Sequence, residues 1–155
     1  MFEGVFPDQA GRIRWVEVTF RQHRVPHPGQ IAYRLDDIVR QAKSLIARAR
    51  AARNLVERTE LVFSTAARIH ADCVIVQPFI DGNKRWARLV LSALVVDCGF
   101  PPGVIISSED KRYYLEAIDK AVSGDETQLA HLIAMGWRAF DDIFRSGRYS
   151  KPPIV

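Results

Sequence analysis

Eight consecutive residues, Leu89-Val90-Leu91-Ser92-Ala93-Leu94-Val95-Val96, carry no charge. They follow a basic start, Lys84-Arg85-Trp86-Ala87-Arg88, and give way to Gly99 and the Pro101-Pro102 pair. Glycine just past a helix with proline beyond it is a stop signal, so the spacing predicts a helix from about Lys84 to Gly99. Apolar side chains on every face predict that this helix is central and buried all round. Such a helix needs others to surround it, and 155 residues suffice for one domain with its own core.

The rest of the chain supplies them. Pro28 suits the first turn of a helix, and Ile31, Leu35, Ile38, Val39, Ala42, Leu45 and Ile46 then recur at helical spacing to about Ala51. A second helix opens near Asn54 and carries Leu55, Leu61, Val62, Ala66, Ile69, Cys73 and Val76 on one broad face. It stops near Gln77, because Pro78 drives its predecessor out of the helical region. Ser107 or Ser108 is the expected cap of a fourth helix, with Tyr114, Ala117, Ile118 and Ala121 inward. Asp125 and Gln128 have capping-box spacing ahead of a fifth, which carries Leu129, Leu132, Ile133, Trp137, Phe140 and Phe144 and ends at Gly147. Before the helices, Val16, Val18 and Phe20 alternate with Trp15, Glu17 and Thr19, a period-two pattern that predicts a strand. Arg12 to Val25 then reads as a short β-hairpin. The expected fold is mainly α with one small hairpin, a single domain over residues 1–147 and a loose tail over 148–155.

Composition narrows the function classes. Hydrophobic residues make up 48% and charged residues 26%, ordinary values for a globular protein. No apolar run approaches the roughly 20 residues of a membrane span, so no membrane is expected. Met1 is followed by Phe-Glu-Gly rather than a basic and apolar leader, which makes the cytoplasm, the protein's own or that of a cell it is delivered to, the default compartment. Cys73 and Cys98 sit in apolar helical patterns and read as free core thiols. With four dispersed histidines they form no zinc-ligand cluster. Net charge is +4. Arg40, Lys43, Arg48, Arg50 and Arg53 follow one helix without interleaved aromatics, a solvated face rather than a nucleic-acid surface. A few arginines gathered on an anionic ligand are the better use of that charge.

The break between the second and third helices is where they gather. Gly82 takes positive φ at no steric cost, and Asn83 tolerates it better than most residues. A turn of that kind before a helix aims several backbone N–H groups at one spot, and the helix dipole adds positive charge there. Arg85 and Arg88 lie one turn apart and lean to one side. Lys84, Arg85 and Arg88 oppose the dipole unless an anion neutralises them. Asp81 lies beside the nest, where a carboxylate can hold Mg²⁺ against a polyphosphate.

At these residues the chain resembles the Fic (Fic/Doc, or Fido) family, whose signature is His-Pro-Phe-x-(Asp/Glu)-Gly-Asn-(Gly/Lys)-Arg-x-x-Arg between two central helices. Pro78, Phe79, Asp81, Gly82, Asn83, Lys84, Arg85 and Arg88 match it. The likeness extends to Met1-Phe2 and Ala10-Gly11-Arg12-Ile13-Arg14, similar to the family's entry to its hairpin. It also takes in Tyr114-Leu115-Glu116-Ala117-Ile118 and Gly124-Asp125, and covers about residues 1–140. It implies a helical Fic core that binds ATP with Mg²⁺ and transfers AMP, or another phosphate-containing group, to a hydroxyl of a target protein. Carried over, Phe79 would anchor the loop and Asp81 would hold Mg²⁺. Gly82, Asn83, Lys84 and Arg85 would cradle the phosphates, and Arg88 would meet the more distal one. The hairpin residues Thr19, Phe20, Arg21, Gln22, His23, Arg24 and Val25 would form the flap that docks the target.

Two positions depart from the pattern. Lys84 stands where adenylylating members commonly have glycine, and resembles the Doc branch, in which the γ-phosphoryl group moves. Gln77 stands at the family's catalytic histidine, which takes the proton of the attacking hydroxyl. Imidazole can do so near neutral pH and an amide cannot. The resemblance therefore implies an impaired or inactive transferase, with a non-catalytic module binding through its flap as the alternative. No (Ser/Thr)-x-x-x-Glu-(Gly/Asn) inhibitory string occurs, which leaves inhibition to a separate antitoxin-like protein or to a segment outside this sequence.

Overall fold

The computed structural model describes residues 11–101 and 111–146. A 3-10 turn over Pro28–Gln30 leads into α1 (Ile31–Ala51), followed by α2 (Leu55–Val76), α3 (Asn83–Asp97), α4 (Lys111–Val122) and α5 (Thr127–Arg145). Boundaries follow local chemistry. The His27 side chain accepts from Gly29 N–H at the 3-10 turn. Asn54 Oδ1 accepts from Glu57 N–H at 2.9 Å, an N-cap bond that starts α2. At the end of α3, Gly99 (φ +89°) donates to Val96 O at 2.8 Å and Phe100 N–H to Val95 O at 3.2 Å. That is the Schellman pair expected of a glycine stop. Asp125 Oδ1 accepts from Thr127 N–H ahead of α5, a plain cap bond, and Gln128 Oε1 has no partner, so the expected capping box does not form. Ser107, Ser108 and the tail 148–155 lie outside the described residues.

The central helix is α2, not α3. α2 packs against α1, α3, α4 and α5, and Ala66, Ala67, Ile69, Ala71, Cys73 and Val74 are all buried. Its alanines let neighbours approach from several sides, while the charges of Glu57, Glu60, Arg68 and Asp72 keep to its ends and one strip. α3 buries one stripe, Ala87, Leu91, Leu94 and Val95, and leaves Leu89 63% and Val96 43% exposed. The expectation that α3 is buried all round is therefore wrong: uniform hydrophobicity permits burial on every face but supplies no neighbour for the outer one. Phe63 of α2, Phe100 just past α3 and Trp137 of α5 pack ring to ring at 5.3–5.7 Å and tie the end of α3 to α2 and α5.

The β-hairpin flap is not present. Among the described residues no strand forms, and Arg12–Val25 holds a single isolated bridge, Phe20 to His23, around a turn at Arg21-Gln22. An isolated two-stranded ladder is marginal, and here one carbonyl inside the segment and one just past it are taken. Arg14 Nη1 donates to Val16 O at 2.7 Å and Nη2 to Pro26 O at 2.6 Å. Ile13, Trp15 and Val16 are left more than 40% exposed, so the alternation that predicts a strand has no second layer to bury against. Thr19, Phe20, Arg21, Gln22, His23, Arg24 and Val25 form a turn with extended shoulders instead. Both cysteines are free and buried, as expected, and burial pushes the Cys73 thiol up to about 12.

Candidate anion-binding site

Gln77 ends α2 in the left-handed region (φ 45°, ψ 58°) and Gly82 precedes α3 in the same region (φ 80°). A glutamine at positive φ is uncommon, and this one is held by its surroundings. Its Nε2 donates to Val74 O, and its Oε1 accepts from Asn83 Nδ2 at 3.1 Å. Asn83 is the brace of the loop: only 6% exposed, its Oδ1 accepts from Phe79 N–H at 2.9 Å and its Nδ2 donates to Phe79 O at 2.8 Å. Pro78 is buried and Phe79 half-buried, its ring edge-on to Trp86 at 6.0 Å. The loop is thus rigid before any ligand arrives.

What it presents outward is positive. Asn83, Lys84 and Arg85 open α3, where the first N–H groups have no helical acceptor. Lys84 and Arg85 are exposed. Arg85 reaches Asp81 at 3.5 Å, and Asp81 also accepts from Gly82 N–H at 2.6 Å. Arg88 is half-buried with no hydrogen bond or carboxylate partner among the described residues. Asp81 is the acid of the site, and its side chain is 68% exposed. No cluster of three metal-ligating side chains occurs among the described residues. A single carboxylate suits an ion held mostly by phosphate and water, as Mg²⁺ usually is.

Other sequence-named residues fall elsewhere. His23 and Arg21 of the turn both reach Asp119 of α4, at 2.7 and 2.9 Å. Thr19, Arg24 and Val25 line a cavity of about 880 Å³ whose far wall includes Arg34, Asp72 and Val76. His70 is a packed histidine: Nδ1–H donates to Ala87 O at 3.2 Å, and Tyr114 O–H donates to Nε2 at 2.6 Å. Arg14 matters most among residues given no role by their sequence. Its N–H donates to Pro78 O at 2.9 Å and its Nε–H to Gln77 O at 2.7 Å. Its only signal was its place in the Ala-Gly-x-x-Arg string, whose first residue lies outside the described ones.

A helical domain with a rigid, cation-rich loop between two packed helices is the class this geometry defines. Residues 1–95 match the sequence model of the Fic/DOC family, and the chain belongs to that family. It is 41% identical over 69 residues to the protein adenylyltransferase Fic of Nematostella vectensis, 44% of this chain and 16% of that protein. To the protein adenylyltransferase fic-1 of Caenorhabditis elegans it is 32% identical over 130 residues, 83% of this chain and 23% of that one. The solved structure of Fic-1 (residues 134–508) from C. elegans superposes with a TM-score of 0.68 at 28% identity, covering 94% of this chain and 39% of that one. The chain spans less than a quarter of the length of these curated relatives.

Proposed function

We propose that this chain binds ATP with Mg²⁺ at the Asp81–Arg88 loop and carries the scaffold for moving AMP to a protein hydroxyl, with turnover impaired by Gln77. The observation that carries the binding half is Arg88, a half-buried guanidinium without an acid partner among the described residues. Gly82 to Arg85 would hold the phosphates by backbone and side chain, and Arg88 the more distal one. Asp81 would hold Mg²⁺, which neutralises phosphate charge when bound. Relatives named protein adenylyltransferases support AMP as the group moved, and the target would dock along Thr19–Val25.

Transfer of AMP joins the target oxygen to the α-phosphorus and breaks the α–β anhydride, releasing pyrophosphate, and the hydroxyl proton must go to a base. Gln77 stands where the family signature has histidine, and an amide is no base near neutral pH. Both ends of its side chain are already engaged, at Val74 O and Asn83 Nδ2. Losing a general base costs roughly 10²–10⁴ in rate. Lys84 favours a second reading, transfer of the γ-phosphoryl group.

Calorimetry with Mg·ATP is expected to show binding that Arg88→Ala weakens by about tenfold, the worth of one charge-assisted contact. No binding to the intact protein would sink the reading. Gln77→His, given ATP labelled in turn at the α- and γ-phosphates and a lysate as target, is expected to transfer label where the native chain does not. The α label identifies AMP and the γ label phosphoryl transfer. Capture of a partner that is unaffected by changes in the loop but lost on changes in Thr19–Val25 favours a binding module instead.

A further inference from the structure

Arg14 is 2% exposed, among the largest fully buried side chains. No carboxylate lies within ion-pair distance of it among the described residues. Burial lowers its pKa below the usual guanidinium range, partly offset by the charge of Glu17, and a guanidinium stays charged in a protein. A buried cation without a counter-ion persists only where its donors are satisfied. Here each of its three nitrogens donates to a different backbone carbonyl: Nε to Gln77, Nη1 to Val16 and Nη2 to Pro26, all at 2.6–2.7 Å. Its own N–H adds the bond to Pro78 O. Gln77 lies at the carboxyl end of α2, where the helix dipole favours a cation.

The four acceptors fall into two groups. Gln77 and Pro78 head the anion loop, whereas Val16 and Pro26 flank the turn that carries Thr19–Val25. One planar fork therefore joins two stretches far apart in sequence, and lysine could not replace it, because an ammonium has no fixed fork to span the three carbonyls.

We propose that Arg14 is a positioning residue that couples the anion loop to the turn segment. A restraint on Gln77 passes through the guanidinium, and one on Pro78 through the Arg14 backbone N–H, to Val16 and Pro26, so that filling the loop orders the segment on which the target docks. The last step rests on the nucleotide reading above; the coupling itself does not.

Amide hydrogen exchange tests both. Without nucleotide, Asn83→Ala removes the brace bonds to Phe79 and Gln77 and speeds exchange in the loop, 77–83. Coupling predicts faster exchange in 16–26 as well, and predicts that this second effect is lost when Asn83→Ala is made together with Arg14→Lys. A loosened loop with 16–26 unchanged in the chain that keeps Arg14 overturns the proposal, and this arm needs no Arg14 variant to fold. With Mg·ATP added to the native chain, protection is expected in both the loop and 16–26, and only in the loop for Arg14→Lys. Protection of the loop alone in the native chain also overturns the coupling. No protection in the loop means that the nucleotide reading has failed, and the first arm still decides the coupling.

Discussion

His70 shows how much one side chain can tie together. Its ring joins α2 to Ala87 of α3 and Tyr114 of α4, and Ala87 is the neighbour of Arg88. Ala87 O only accepts, so Nδ1 carries the proton and the neutral Nε2 takes the tyrosine's. Burial drives the His70 pKa down from 6.5 to about 4 and raises that of Tyr114 well above the usual phenol range. Between pH 6.5 and 4 the unfolded chain binds a proton that the folded one refuses. This contribution is therefore complete above pH 6.5 and is lost as pH falls toward 4. About 2 kcal/mol should disappear between pH 7 and pH 5. Urea unfolding at both values should show that loss in the native chain and not in His70→Gln; equal pH dependence in the two would refute it. Sequence spacing put His70 on the helix face leading to Gln77, but its burial and partners depend on α3 and α4, which periodicity along α2 does not reveal.

At the level of elements, α3 separates what a residue type permits from what its neighbours enforce. Leu91 is 1% exposed and Leu89 63% exposed, although both belong to the same uncharged run. Leu91→Ala should cost about 2–5 kcal/mol, the transfer loss plus a cavity. Leu89→Ala should stay within about 0.5 kcal/mol. Chemical denaturation of the two variants checks this, and comparable losses would mean that the outer face of α3 is covered in solution. The same helix was otherwise legible: its basic start, its glycine stop and the proline beyond are local signals, and local signals set its ends. The failed hairpin is the opposite case. Its alternation is real, but a strand exists only through a partner, and Arg14 takes the carbonyl of Val16 that pairing could have used.

For the whole molecule, the turn segment is fastened at two points, by Arg14 at its base and by Asp119 of α4 at its tip. Asp119→Ala should release Arg21 and His23 while leaving the helical core intact. Trypsin should then cut after Arg21 and Arg24 faster, with Tm lower by only about 2–4 °C. Unchanged cleavage would show that the Asp119 contacts do not hold the tip. What the sequence determined alone is the order of the five helices seen among the described residues and the sign of charge at the loop. Turns, caps and apolar spacing act within a few residues of one another, and the family signature is itself a local string. Only the tertiary structure decided that α2 is the centre and that Asn83 braces the loop from inside. It also decided that Arg14 joins loop to turn, because those outcomes depend on which distant carbonyls and faces the packed helices bring within reach.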